Sequence, residues 1–164
     1  YLGGIPNTFD FSSYVYTHAT SGLSSGLGAV DITFSDDGYI MFVLNSSDVS
    51  VSSYTLSTAF DVSTAGPETV VDLNSELYGV ITTPYSINFN INGSEAYMLD
   101  LNNYNIVTIT FDSGWEYDFD VTTNAVSESV LIGSDPLDIT FSPDGSMMFE
   151  VDSGAGSINE YELS

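Results

Sequence analysis

The stretch DITFSPDG at 138–145 has a near copy, DITFSDDG, at 31–38 and a looser one, SINFNING, at 86–93. The starts at 31, 86 and 138 lie 55 and 52 residues apart. Residues 31–35 and 138–142 alternate polar and apolar, the period of a half-buried β-strand. Asp-Gly or Asn-Gly follows, and glycine's tolerance of positive φ suits a tight hairpin turn. Each copy reads as strand, turn, strand.

The match extends outward without a gap. Ala29, Pro84 and Pro136 share a column, as do Ile32, Ile87 and Ile139, and then Phe34, Phe89 and Phe141. Met41-Phe42, Ala96-Tyr97 and Met148-Phe149 come next, followed by Asn45, Asp100 and Asp152. Tyr54, Ile109 and Tyr161 lie nine residues further. Third strands fall at 51–56 and 106–111, rich in β-branched residues. Fourth apolar runs fall at 70–73 and 126–132. Helical periodicity is absent. The pattern predicts an all-β chain of three four-stranded antiparallel sheets, with first strands near 30–35, 85–90 and 137–142. Residues that recur in register form the expected core: Ile32, Phe34, Phe42, Ile87, Phe89, Ile139, Phe141 and Phe149.

The ends are out of phase by one strand. The third repeat stops after Tyr161-Glu162-Leu163-Ser164. Phe9-Asp10-Phe11-Ser12 matches Phe60-Asp61-Val62-Ser63, which heads a fourth-strand segment. Residues 1–164 thus read as one domain of three repeats, 29–83, 84–135 and 136–164, the last completed by 1–28. Strand exchange between copies follows as an expectation, with Phe9, Phe11, Tyr14, Tyr16, Tyr161 and Leu163 as the assembly residues. Unpaired strand edges are templates for such pairing.

The segments DITFSPDGSMMFEVD, INEYELS and SSYTLSTAFDVSTA resemble the β-propeller repeats of secreted and surface proteins, with blades of the type ITFSPDG…MFVVD…YxLS…FDVSTA. The resemblance covers almost the whole chain. It implies propeller blades and, in that family, an N-terminal outer strand that closes the ring on the last blade. Propellers have about 4–8 blades, and three are encoded here. The outcomes open at this point are a two-chain six-bladed ring, a head-to-tail chain, a β-prism of three sheets, and a fragment of a longer array.

Composition narrows the partners. There are no Lys or Arg residues against 23 Asp plus Glu, a net charge of −23. An ordinary domain of this length carries roughly 20 basic residues. Nucleic acid is excluded as a partner, because no side chain can neutralise phosphates. Acidic membrane surfaces are disfavoured on the same ground, and no apolar run is long enough for membrane insertion. Trypsin-like proteases have nothing to cut after. Apolar residues make up 43% of the chain, enough for a packed core. The opening Tyr1 reads as a mature or excised segment of an extracellular or cell-surface protein. Cysteine is absent.

Candidate chemistry is sparse. His18, the one histidine, has no triad context, which reads as a surface residue after a strand. Asp31 and Asp138 start equivalent first strands and could face a central channel. Paired carboxylates suffice for glycoside hydrolysis, but Ser86 in the third copy points instead to a hydrogen bond that the repeat encodes. Glu116, Asp118 and Asp120 alternate in GWEYDFD and offer oxygens of the kind calcium takes. Trp115 and Tyr117 are candidates for stacking on sugar rings. Trp115 shares a column with Phe60 and Phe9, the pattern of packing between sheets. Asn45 and Asn92 head glycosylation patterns. With no catalytic set evident, the chain is expected to be a non-enzymatic extracellular structural or adhesive module, such as a filament subunit, whose partners are its own copies. A carbohydrate-binding module that takes glycans and a glycan-cleaving propeller are the alternatives.

Overall fold

The computed structural model describes residues 28–77, 79–111, 125–131 and 133–163. They form eleven strands in three antiparallel sheets. Sheet 1 holds β1 (Ala29–Phe34), β2 (Ile40–Asn45), β3 (Ser50–Leu56) and β4 (Ala65–Asp72). Sheet 2 holds β5 (Pro84–Phe89), β6 (Glu95–Asp100), β7 (Asn105–Thr110) and β8 (Ala125–Leu131). Sheet 3 holds β9 (Pro136–Phe141), β10 (Met147–Asp152) and β11 (Ser157–Glu162). The fourth strand expected for sheet 3, and with it Phe9, Phe11, Tyr14 and Tyr16, lies outside the described residues.

The repeats share one register. Ile32 faces Val43, Ile87 faces Met98, and Ile139 faces Glu150. Each first hairpin turns on a glycine at positive φ: Gly38 at 74°, Gly93 at 67° and Gly145 at 71°. The residue before it braces the turn. Asp37 Oδ1 accepts from Ser35 Oγ and Tyr39 N, and Asp144 Oδ1 from Ser142 Oγ and Ser146 N. These donors, Ser142 foremost, hold the Asp144 carboxyl down at about 2. The Ser35 hydroxyl, then the Tyr39 amide, hold Asp37 below its ordinary value.

The sheets meet along their first strands, β1 against β5 and β5 against β9. Between sheets 1 and 2, Phe42, Leu44 and Val51 pack on Ile87, Met98 and Ile109. The Phe42 and Phe89 rings lie 4.6 Å apart. Between sheets 2 and 3, Leu99 and Ile106 pack on Ile139 and Met148, and the Tyr97 and Phe141 rings lie 4.7 Å apart. Apolar burial at roughly 25 cal/mol per Å² is what sets the sheets face to face.

One sequence expectation is corrected. Ile32 is exposed, and Phe34, Phe89, Phe141 and Phe149 are half-buried rather than sealed in the core. Ile32 lies on the face of sheet 1 turned away from sheet 2, where no described sheet covers it. A 3-10 turn at Val62–Thr64 and one α-helical turn, α1 (Leu73–Glu76), punctuate the all-β pattern. Asp72 caps it by accepting from Asn74 N, which ends β4 before Leu73.

Candidate functional site

Each first strand carries a register shift near its start, between Ala29 and Asp31, between Pro84 and Ser86, and opposite the Val151–Asp152 step in β9. The residue passed over is Val30, Tyr85 or Leu137, and all three are exposed. A bulge of this kind re-aims the next side chain along the strand, and bulges are common beside active sites. The side chains re-aimed in this way belong to Asp31, Ser86 and Asp138.

The three converge across neighbouring strands. Ile87 N donates to Asp31 Oδ2 at 2.8 Å, and Ile32 N donates to Asp31 Oδ1 at 2.8 Å. Ser86 Oγ donates to Asp138 Oδ1 at 2.8 Å, which also takes Ile139 N at 2.9 Å. Asp138 is exposed and Asp31 half-buried. Asn88 extends the track, its amide donating to Ser86 Oγ at 3.3 Å and to the Ile139 carbonyl at 3.0 Å. Asn88 also lines a cleft of about 510 Å³ at the hairpin-turn end, with Asp36, Asn90, Tyr97 and Thr140. A polar path therefore runs along the first strands from the carboxylates to this cleft.

The loops entering β5 and β9 are tied down by the last residue of the next strand. Asp100, fully buried, accepts from Thr82 N at 2.9 Å, Thr83 N at 3.1 Å, Asn102 N at 2.9 Å and Asn103 Nδ2 at 3.0 Å. Asp152 accepts from Ser134 N at 2.8 Å and Ala155 N at 3.0 Å. These amides, Ser134 first, hold Asp152 below its ordinary value. The repeat thus fixes where Ser86 and Asp138 begin.

Sequence reasoning singled out Asp31 and Asp138 for a hydrogen bond that the repeat encodes, and each does accept from the next amide, Ile32 N and Ile139 N; the bulge before each lay beyond it. It also missed Glu150, which is fully buried in a column where the other repeats place Val43 and Met98. Glu150 Oε2 accepts from Tyr161 Oη at 2.6 Å and from Asn159 Nδ2 at 3.3 Å, while Glu150 Oε1 has no described partner. Burial, then the Glu150 hydrogen bond, push the Tyr161 phenol up to about 12. Tyr161, proposed from sequence for assembly, thus faces the packing between sheets 2 and 3; Leu163 is exposed. Asn45 is buried, with Asp48 N donating to its Oδ1 at 3.1 Å, a position a glycan cannot occupy in the folded protein. Asn92 is exposed in its turn. His18, Trp115, Tyr117, Glu116, Asp118 and Asp120 lie outside the described residues. Among the described residues no cluster of three metal-ligating side chains occurs.

No family model matches the chain, and no curated protein matches it in sequence. Solved structures do match it in fold. The periplasmic gluconolactonase of Pseudomonas aeruginosa aligns with 85% of the chain at 15% identity and a TM-score of 0.57. A candidate 6-phosphogluconolactonase of Bacteroides fragilis aligns with 82% at 14% identity and a TM-score of 0.54. The hydrazine synthase of Kuenenia stuttgartiensis aligns with 92% at 21% identity and a TM-score of 0.54. The chain spans about a third of the length of these structures, 36%, 34% and 36% respectively. The expectation of a non-enzymatic adhesive or filament-forming module is corrected here, because lactone-hydrolysing enzymes stand among the proteins similar in fold. The repeats that read as scaffold also carry a bulge on each first strand, followed by a carboxylate in two of them and by Ser86 in the other. The chain is an all-β, propeller-like fold built of antiparallel sheets.

Proposed function

We propose that the three sheets are blades of a propeller and that the chain hydrolyses a neutral sugar lactone at the axis. The observation that carries this is the placement of Asp31 and Asp138 after equivalent bulges on first strands that flank β5, with Ser86 holding Asp138. Asp138 is the candidate general base, since it is exposed and Oδ2 has no described partner. It would take a proton from water as the water oxygen attacks the lactone carbonyl carbon. The ring C–O bond then breaks, and the ring oxygen takes up the proton. Asp31 positions the strand next to it through Ile87 N. Exposed Tyr85 offers a ring face to sugar C–H groups.

The lactone class comes from the names of similar structures. This chain's own composition selects within it. A phosphorylated lactone would bring about two negative charges to a chain of −23 with no Lys or Arg to receive them. The neutral lactone is therefore favoured. The test is hydrolysis of glucono-δ-lactone and its 6-phosphate in a pH-stat, with spontaneous hydrolysis subtracted. The neutral lactone should turn over faster, and Asp138→Asn should lose about 100-fold or more in kcat, the usual share of a general base. Glu68→Gln, on the outer strand β4 where it accepts from Tyr54 Oη, should leave kcat within about twofold. No turnover above background, or an Asp138→Asn variant equal to the parent, would refute the reading.

A further inference from the structure

Sheet 3 departs from sheet 2 at one place in its interior. In sheet 2, Ile81, Met98, Val107 and Ile109 are all buried in one apolar cluster. The same columns of the next repeat hold Gly133, Glu150, Asn159 and Tyr161. The loops confirm the columns: Ser134 N donates to Asp152 Oδ2 as Thr82 N does to Asp100 Oδ2. The ladders agree, with Glu150 opposite Asn159 as Met98 is opposite Val107. Four apolar positions have thus become a glycine, a carboxylate, an amide and a phenol. They lie on the face of sheet 3 that meets sheet 2, two residues along from buried Met148.

The carboxylate is only half satisfied. Glu150 is fully buried, and its Oε2 takes both donors, Tyr161 Oη and Asn159 Nδ2. Its Oε1 takes none. Gly133 marks where Oε1 is aimed. A side chain at Gly133 would collide with Glu150 Oε1 and begin 2.6 Å from Asp152 Oδ2. Two carboxylates therefore approach one spot, which the missing side chain leaves clear. Gly133 is exposed, so ions in solution can reach the spot. A buried charge is costly unless it is paired, and two carboxylates sharing a site disfavour each other's ionised forms. The chain has no Lys or Arg to stand between them. Whatever neutralises the pair comes from solution.

We propose that Glu150 and Asp152 bind a calcium ion beside Gly133. Two carboxylates match its charge. Calcium takes oxygen ligands at about 2.3–2.6 Å in flexible geometry and accepts water in the remaining places. Magnesium fits less well, because it demands near-ideal octahedral geometry and gives up water reluctantly. Only two carboxylates reach the spot, so the dissociation constant should fall near the weak end of calcium sites, about 10⁻⁴–10⁻³ M. Bound there, the ion would join the loop entering β9 to the end of β10. The proposal rests on sheet 3 alone and not on lactone chemistry.

The test is thermal unfolding of the full chain at neutral pH in about 0.5 M sodium chloride, which screens the surface carboxylates. Calcium chloride or magnesium chloride is added at about ten times the expected calcium dissociation constant, and calcium should raise the melting temperature by about 4 °C more than magnesium. Glu150→Gln keeps the shape and removes the charge; it should abolish this difference with an unchanged β-sheet circular dichroism spectrum. Glu150→Met, which restores the residue of the preceding repeat, should do the same. Asp48→Asn, on an exposed turn of sheet 1, removes an equal charge and should keep the difference. Equal melting temperatures of the parent in the two salts overturn the proposal. A calcium increment that survives the Glu150 variants overturns it, since the ion then binds elsewhere, as does an increment lost equally in Asp48→Asn. A parent stabilised by acid through Glu150 but indifferent to calcium shows a shared proton in place of the ion and also overturns it. None of these outcomes depends on turnover, so the calcium site and the lactone chemistry stand or fall separately.

Discussion

Val49, Tyr104 and Gly156 occupy the same place in three successive turns, and all three have left-handed backbone, with φ of 49°, 50° and 63°. Only glycine adopts this region without cost, and a β-branched residue there is a clear outlier. Val49 is held by burial in the packing between sheets 1 and 2. Tyr104 is exposed and has no such compensation. Tyr104→Gly should raise unfolding free energy by about 1 kcal/mol in urea titration, because left-handed strain costs about 1–2 kcal/mol. An unchanged or lower value would show that the Tyr104 side chain contributes more than its strain costs. At this scale the sequence was informative where a residue type has one use. Gly38, Gly93 and Gly145 announced their turns. It was uninformative where the use depends on a neighbour. Ile32 looks identical to Ile87 in its repeat, and only the position of its sheet in the stack leaves it uncovered.

The elements were legible because strand period and turn chemistry agree in all three copies. Departures arise where a local cap intervenes, as Asp72 does before α1, or where a fourth strand carries too few alternating residues to fix its start. Observed β4 begins at Ala65, five residues before the apolar run that announced it. The carboxylate pair was legible as residues but not as a site. The bulge that aims Asp31 and Asp138 is a misalignment between two strands, and it leaves no mark in either strand alone. What sets the start of β5 is Asp100. Its five donors include three backbone amides, of Thr82, Thr83 and Asn102, that would lose their partner. Asp100→Ala should cost about 3 kcal/mol in urea titration, since each stranded buried donor costs about 1–3 kcal/mol. A cost under about 1 kcal/mol would mean that water replaces the carboxylate without strain.

Over the whole molecule, two opposing carboxylate effects set the response to pH. Twenty-three acidic groups repel one another without cationic relief. Partial protonation should raise the melting temperature between pH 7 and about pH 5, as reference carboxylates near 4 begin to fill. Asp37, Asp144 and Asp152 work the other way. Their folded values are depressed below 3.8, so their stabilisation is complete above that value and is lost as pH falls toward about 2, where Asp144 titrates. The melting temperature should pass through a maximum near pH 4–5 and fall steeply below it. A monotonic rise to pH 2 would show that repulsion outweighs the turn carboxylates throughout. Added salt at pH 7 should raise the melting temperature by screening.

The carboxylates that end β6 and β10 also divide the molecule into units of opening. Asp100 grips amides on both sides of its strand, at Thr82–Thr83 and at Asn102, and Asp152 does the same at Ser134 and Ala155. None of these amides lies in a strand, yet none can meet deuterated solvent until its carboxylate lets go. Hydrogen exchange at these loop amides should therefore keep pace with the strands they serve rather than with surface turns. The loops that lead into β5 and β9 would then belong kinetically to the sheet interior.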